Sequence, residues 1–253
     1  MLFLNAGVLH RVGPHRLHVL LARQLAEQGL SSVRLDLAGI GDSPASGHTG
    51  TFMESAVADV SVVMSELERR VGARAFVVFG LCSGADNGFA AALVDERIRG
   101  LVLLDPHSYR TPQAQLRKIV RRAAAQGVRQ TARWALTLAA RQVRAQVEAR
   151  LARWRAAEPA AEPDTGGRRA PPKEQLRAGL TRLVERGVKV LAVYSGAYGD
   201  RYNHEDQLFE LFPELRGRVD RAYFPDANHM FTERVAQAAL LSAVAPWILR
   251  HFA

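Results

Sequence analysis

The sequence predicts an α/β domain with a mostly parallel sheet flanked by helices. Short apolar runs that are typical of buried strands alternate with amphipathic helical patterns, and this alternation indicates a parallel sheet. The chain has 253 residues, of which 48% are hydrophobic and 23% charged, as expected for one α/β domain with a full-sized core. The alternation stops after Asp105 and resumes later, so a helical insertion is expected between the two parts.

The predicted strands are short runs rich in apolar and β-branched residues, each bounded by turn residues. The first, Leu2–Asn5, is fully apolar except for its last residue, which is typical of a strand covered on both faces. The predicted strands span residues 2–5, 32–37, 75–79, 100–104, 188–194 and 218–224.

The predicted helices carry apolar residues three and four positions apart, which places those residues on one face. In the first, Pro14 provides a favourable start, Leu17, Leu21 and Leu25 share a stripe, and Gly29 ends the helix. The others span residues 52–71, from the 80–84 turn to about 95, 113–156 with an interruption near Gly127, 173–186, 206–212 and 232–251.

These elements divide the chain into a core, formed by residues 1–106 and 173–253, and a helical cap at 107–172. The cap ends in a Pro/Gly-rich linker near 158–172, which we expect to be mobile. Residues 107–187 contain 18 basic and 6 acidic side chains, a net charge of +12 in a chain whose total is +9. This segment would attract a phosphate-bearing ligand, an acidic protein or an anionic membrane surface; a solvated Arg-rich face is the alternative.

A single cysteine, Cys82, excludes an internal disulfide and favours a reducing compartment. The first residues are apolar only briefly and lack a basic leader, and we find no run of eighteen apolar residues. We therefore expect a cytoplasmic protein without a transmembrane segment and without a nucleic-acid partner.

The segment Gly80-Leu81-Cys82-Ser83-Gly84 lies between a predicted buried strand and a predicted helix. A nucleophile on such a strained turn needs small residues two positions before and two after it, and only Cys82 satisfies this spacing. Ser83 is excluded because Leu81 would then occupy a small-residue position. The positive end of the following helix favours a thiolate, so Cys82 is predicted to be the nucleophile.

His229 lies in the loop between the last predicted strand and the final helix. A histidine there is well placed to reach the turn at Cys82 and to act first as a base and then as an acid. The sequence therefore predicts a cysteine–histidine pair, and a loop histidine with no catalytic task is the alternative.

At these positions the chain resembles the α/β-hydrolase fold superfamily. Asn5-Ala6-Gly7 is similar to the family's oxyanion turn, and residues 34–43 resemble its R-x-D-x-x-G-x-G-x-S segment. Gly80–Gly84 and the Asn228-His229 loop match its nucleophile elbow and its histidine loop. The order of these motifs is also similar to bacterial exosortase-associated and serine-aminopeptidase-like hydrolases.

The resemblance implies the remaining site residues. The family places its acid after the seventh strand, where this chain has Asp200, and in a minority of members after the sixth, where it has Asp105. We slightly favour Asp200 and keep both. The oxyanion hole is implied to be the backbone N–H groups of Val8 and Ser83.

Two departures from the family qualify the prediction. Cysteine replaces the usual serine, as in dienelactone hydrolases and polyhydroxyalkanoate synthases, which makes a thioester intermediate the expected species. The chain also begins at what resembles the family's third strand, which leaves residues 32–37 as a bare sheet edge. Such an edge invites pairing with another chain, with a homodimer as one outcome, or it indicates that the start of the gene is misassigned.

The sequence therefore predicts a hydrolase that cleaves an ester or thioester through an acyl-cysteine intermediate. The basic cap suggests an acyl substrate carried on coenzyme A or an acyl carrier protein. One alternative is an acyltransferase or cyclase that passes the acyl group to an amine or alcohol. A further alternative is a non-catalytic binding protein. No cofactor and no metal ion is expected.

Overall fold

The structure is a computed structural model, and it describes residues 1–127, 129–132, 134, 136–137, 140–141, 144, 147–148, 168, 170–199 and 201–253. The chain forms two compact units. The first contains Met1–Thr111 and Ala170–Ala253, and the second contains Pro112–Arg169. The sequence placed these boundaries at 106/107 and 172/173, so the first unit is several residues longer than the predicted core.

The first unit is built on a six-stranded, fully parallel sheet with the strand order β2-β1-β3-β4-β5-β6. The predicted α/β fold with a parallel sheet is thus confirmed. The strands are β1 (Leu2–Phe3), β2 (Val33–Arg34), β3 (Phe76–Leu81), β4 (Ile98–Leu104), β5 (Lys189–Ser195) and β6 (Asp220–Phe224).

Helices connect the strands, and their ends follow local sequence signals. Thr51 and Glu54 form a reciprocal capping box at the start of the second helix, and Gly72 ends it in the left-handed conformation with φ 71°. The described helices are α1 (Leu17–Ala26), α2 (Phe52–Val71), α3 (Ser83–Val94), α4 (Pro112–Gln126), α5 (Lys173–Glu185), α6 (Gln207–Leu211) and α7 (Arg234–Phe252).

Side chains alternate between the two faces of the sheet along each strand, and helices cover both faces. In β4, Leu101 and Leu103 face the core that includes residues of α2, α3 and α5. Val102 and Leu104 face the opposite core, which includes residues of α1 and α7. This doubly covered arrangement explains why the strands read as continuous apolar runs.

Strand β2 is shorter than the sequence predicts. Leu35 still donates its N–H to the carbonyl of Phe3, at 3.1 Å, but two residues later the N–H of Leu37 is taken by the side chain of Asn5, at 2.8 Å. The side chain therefore replaces the strand ladder at this point. Strand β2 lies at one edge of the six-stranded sheet.

Among the described helices, α7 alone is long and apolar enough, by length and composition, to cross a bilayer. Within the first unit, 33% of its apolar window is buried. Its buried side chains pack with those of α1, and the indole N–H of Trp247 donates to Asp220 at 2.7 Å. A buried helix of a folded domain can pass the same test of length and composition.

In the second unit, α4 is basic on one side, with Arg117, Lys118, Arg121 and Arg122 and no acidic residue. The cationic groups of Lys118 and Arg122 lie 5.6 and 4.5 Å from the centre of the Trp134 ring, within the range of cation–π attraction.

Because all six strands are parallel, their carboxyl ends meet at one edge of the sheet, where α/β proteins bind their ligands. The segments that leave this edge are the Asn5–Gly7 turn after β1, Cys82 after β3, Asp105 after β4, Ser195 at the end of β5, and the His229 loop after β6. Residues distant in sequence are thereby brought to one place.

Candidate active site

Cys82 lies on a sharp turn between β3 and α3. Its backbone angles are φ 58° and ψ −120°, a region that residues other than glycine rarely occupy. Such a conformation costs on the order of 1–3 kcal/mol and persists only where the surroundings impose it. Here the N–H of Cys82 donates to Leu104 at 2.9 Å, and its carbonyl accepts from Ala85 and Asp86 at 3.0 and 3.3 Å. The thiol side chain is half-buried.

The two glycines of the turn leave no room for a side chain. A Cβ on Gly80 would overlap the backbone of Gly84, and a Cβ on Gly84 would lie 2.5 Å from the carbonyl oxygen of Asn5. The G-x-C-x-G spacing is therefore a packing requirement, since the start of α3 passes directly against the ends of β1 and β3. This close approach aims the side chain of Cys82 away from the sheet.

His229 is held by a buried carboxylate. Its Nδ1 lies 2.7 Å from Oδ2 of Asp105, a residue that is only 1% exposed. Ser195 completes the arrangement, because its N–H and its hydroxyl donate to the same carboxylate at 2.7 and 2.6 Å. The contact with Asp105 fixes the orientation of the ring and leaves Nε2 as the nitrogen available for chemistry.

The environment of His229 favours the protonated ring. The hydrogen bond to Asp105, followed by a side-chain hydrogen bond to Cys82, raises the pKa of His229 from 6.5 to about 9 against the opposing effect of burial. Coulombic attraction to both groups acts in the same direction. A protonated ring beside the thiol would favour the thiolate, which is the reactive form of cysteine.

The turn after β1 is joined directly to the elbow. The N–H of Gly7 donates to the hydroxyl of Ser83 at 2.8 Å, and the amide of Asn5 closes the turn by donating to the carbonyl of Leu9 at 2.8 Å. Val8, at the tip, is 88% exposed. Ser83 is the first residue of α3, so its backbone N–H has no hydrogen-bond acceptor within the helix. The backbone N–H groups of Val8 and Ser83 stay predicted oxyanion donors.

A cluster of charged side chains is hydrogen-bonded to the turn after β1. Asp36 accepts from the amide of Asn5 at 2.9 Å and from the N–H and guanidinium of Arg11. These hydrogen bonds lower the pKa of Asp36 although desolvation, the largest single effect, opposes them. His10, Asp36 and Asp42 are close enough together to hold a cation, but the guanidinium of Arg11 already bridges the two carboxylates. The cluster therefore serves as a structural ion-pair network.

The structure thus brings together Cys82, His229 and Asp105, and it places the Ser83 and Val8 segments beside them. Asp200, the acid that the sequence slightly favours, lies outside the described residues. Sequence reasoning missed Ser195 and Tyr198, whose hydroxyls contact the site. A polar residue at the end of an apolar strand was the only available signal for Ser195.

A parallel sheet with a cysteine on a strand-to-helix turn, and with a histidine–carboxylate pair at the same edge, has the arrangement that is typical of the α/β-hydrolase fold. A family model described as the alpha/beta hydrolase fold matches residues 1–163. The chain belongs to the α/β-hydrolase family.

Solved structures agree with this fold. An esterase from Thermogutta terrifontis is 18% identical with a TM-score of 0.57, and the alignment covers 98% of this chain and 89% of that one. The meta-cleavage product hydrolase from Pseudomonas fluorescens IP01 is 16% identical, with the same coverage and TM-score. A carboxylesterase structure from Nitrososphaera gargenis is 12% identical, covers 98% and 90% of the two chains, and has a TM-score of 0.52. A comparison with curated protein sequences finds no significant match.

Proposed function

We propose that this protein is a hydrolase that cleaves an ester or thioester through an acyl-cysteine intermediate, with Cys82, His229 and Asp105 as its triad. The observation that carries the proposal is the continuous chain of contacts from the thiol of Cys82 through His229 to the buried carboxylate of Asp105. A cysteine used only for packing needs neither the strained turn nor the histidine.

In the first step, the thiolate of Cys82 attacks the substrate carbonyl carbon and forms a C–S bond. The backbone N–H groups of Ser83 and Val8 stabilise the negative oxygen of the tetrahedral intermediate. When the intermediate collapses, the bond to the leaving group breaks and the imidazolium of His229 gives its Nε2 proton to the departing oxygen or sulfur. The products of this step are an acyl-cysteine and a neutral imidazole.

In the second step, water attacks the thioester carbonyl and His229 takes a proton from it. The C–S bond breaks, the carboxylic acid leaves, and the thiolate–imidazolium pair is restored. An amine or alcohol in place of water would give an acyltransferase or cyclase, because a thioester reacts readily with amines. A non-catalytic binding protein is the alternative from another class.

The charge distribution supports an anionic substrate carrier. Residues 112–169 contain 13 basic and 4 acidic side chains, a net charge of +9, whereas the rest of the chain contains 21 of each. This concentration of positive charge suits the phosphates of coenzyme A or an acidic acyl carrier protein. We further propose a cytoplasmic location, where the thiol of Cys82 stays reduced, and pairing of β2 edges as a route to a homodimer.

Product analysis with a panel of acyl thioesters of increasing chain length tests the proposal. Each is incubated with the protein alone and with a primary amine or an alcohol, and the free acid, amide and ester are quantified by mass spectrometry. A hydrolase gives the free acid in every reaction, whereas an acyltransferase gives the amide or ester. The variants Cys82→Ala and His229→Ala should give none of them. Turnover that persists in Cys82→Ala contradicts the proposal, and a wild-type protein without turnover favours the binding protein.

A further inference from the structure

Tyr198 lies in a 3-10 helix, Gly196–Tyr198, that begins directly after β5. Two contacts fix this helix: the N–H of Gly196 donates to Ala227 at 3.0 Å, and the N–H of Ala197 donates to the hydroxyl of Ser195 at 3.3 Å. A side chain on Gly196 would overlap the carbonyl of Pro225. Tyr198 is therefore carried by a segment that is attached both to the serine beside Asp105 and to the loop of His229.

The half-buried side chain of Tyr198 contacts the catalytic histidine at its reactive nitrogen. Its hydroxyl oxygen Oη lies 3.5 Å from Nε2 of His229, and the two rings meet edge to face with their centres 5.1 Å apart. The other ring nitrogen, Nδ1, is taken by Asp105. Tyr198 thus stands beside the only nitrogen of His229 that can exchange a proton with a substrate.

Both steps of the proposed reaction route a proton through Nε2. The attacking atom of the acyl acceptor must come within about 2.6–3.2 Å of Nε2 to give up its proton. In the first step the departing oxygen or sulfur must lie at this same position, because it receives the proton from Nε2. A hydroxyl 3.5 Å from Nε2 therefore lies next to the place where the acceptor binds. At 3.5 Å the direct contact is a weak hydrogen bond, and a phenol hydroxyl can accept hydrogen bonds as well as donate one.

We propose that Tyr198 is a further catalytic residue, whose hydroxyl accepts a hydrogen bond from the acyl acceptor while Nε2 of His229 takes its other proton. The inference rests on the proposed acyl-cysteine function. It also assigns an acceptor class: the attacking atom carries two hydrogens, as in water or a primary amine. The oxygen of an alcohol carries only one hydrogen, and Nε2 takes it. Transfer to an alcohol therefore gains less from Tyr198.

Stopped-flow kinetics with p-nitrophenyl butyrate separates the two steps. The burst of p-nitrophenolate reports acylation of Cys82, and the steady rate reports transfer to water, to glycinamide or to methanol. In Tyr198→Phe, we expect the transfer rates to water and glycinamide to fall about 5- to 10-fold, the size of effect of one lost hydrogen bond. Acylation and transfer to methanol should change less than about 2-fold, since p-nitrophenolate needs no proton and methanol has only one.

Tyr109→Phe is the matched control, because that hydroxyl donates to the carbonyl of Pro171 instead. It should leave all the rates unchanged. Equal losses in the burst and in every transfer rate of Tyr198→Phe would mean that the residue only packs against His229, and unchanged rates would mean that its hydroxyl has no role. Either result overturns the inference. A wild-type protein that forms no adduct on Cys82 contradicts the proposed function itself, and the inference with it.

Discussion

Ser195 donates both its backbone N–H and its hydroxyl to the carboxylate of Asp105, at 2.7 and 2.6 Å. Both residues are fully buried, and they lie at the ends of the neighbouring strands β5 and β4. A buried carboxylate is stable as an anion only when hydrogen bonds compensate for the water it has lost. The two hydrogen bonds from Ser195 therefore hold the carboxylate of Asp105 in the position from which it contacts His229.

Removing this hydroxyl should weaken both the fold and the site. We predict that Ser195→Ala lowers the free energy of unfolding by about 1–3 kcal/mol, because a buried acceptor loses one partner. The value of kcat/KM should fall by less than about tenfold, since the backbone N–H still holds the carboxylate. Urea unfolding and steady-state kinetics measure the two effects. Ser242→Ala, on the exposed face of α7, is the control and should match the wild type in unfolding free energy and in kcat/KM. If Ser195→Ala also matches the wild type in both, the hydrogen bond from its hydroxyl to Asp105 is unimportant.

The identity of the triad acid is tested by two matched substitutions. Asp105→Asn removes the negative charge beside Nδ1 of His229, and we predict that kcat/KM falls by about 10²–10⁴-fold. If Asp105 is the acid, Asp200→Asn removes no member of the triad and should keep kcat/KM within about twofold. If the larger loss occurs in Asp200→Asn, then Asp200 is the acid and the contact between Asp105 and His229 has another purpose.

The pH profile should report the raised pKa of His229. Leaving groups such as alkoxides need the imidazolium proton, so kcat/KM for an alkyl ester should stay high through neutral pH and decline above about pH 9. The hydrogen bond to Cys82 is the second cause of this shift. In Cys82→Ser, therefore, NMR titration of the His229 ring should give a lower pKa than in the wild type. An unchanged pKa would mean that the thiol does not interact with the ring.

The same shift has a consequence for stability. Because the folded protein raises the pKa of His229 above 6.5, the stabilisation is complete below about pH 6.5 and is lost as the pH rises through about 9. The difference in unfolding free energy between the wild type and His229→Gln should therefore shrink from pH 6 to pH 10. If this difference in unfolding free energy instead grew with pH, the pKa of His229 would be lowered in the folded protein and not raised.

Salt should distinguish the substrate carriers. If the positive charge of residues 112–169 attracts coenzyme A, the KM for an acyl-CoA should rise several-fold between 0.05 and 0.5 M NaCl, because ions screen exposed charges beyond about 10 Å at 0.1 M. The KM for the same acyl group on uncharged N-acetylcysteamine should hardly change. Equal salt dependence for the two substrates would show that the basic segment does not contribute to binding.

Much of the fold could be predicted from the sequence, because the patterns that carry it are local. Apolar runs in buried parallel strands, a capping residue such as Thr51 and a helix end such as Gly72 all lie within a few positions of what they specify. The turn at Cys82 belongs to the same group, since its two glycines pack against segments that the α/β pattern already brings near.

The acid and its neighbours were harder to predict because they depend on which strands become neighbours. Asp105 and Ser195 are 90 positions apart and meet only because β4 pairs with β5. The position of Tyr198 depends on the short helix after β5, which has no periodic signal of its own. Chain spacing alone could not decide between Asp105 and Asp200.

Intact-protein mass spectrometry of the acyl-enzyme tests the central claim most directly. The wild type, Cys82→Ala and Cys82→Ser are each mixed with an acyl thioester, quenched in acid within seconds, and digested to locate any added mass. We predict that the wild type gains the mass of one acyl group on the peptide that contains Cys82, and that Cys82→Ala gains none. An acyl group found on another residue, or turnover without any adduct on Cys82 at every quench time, would contradict the account.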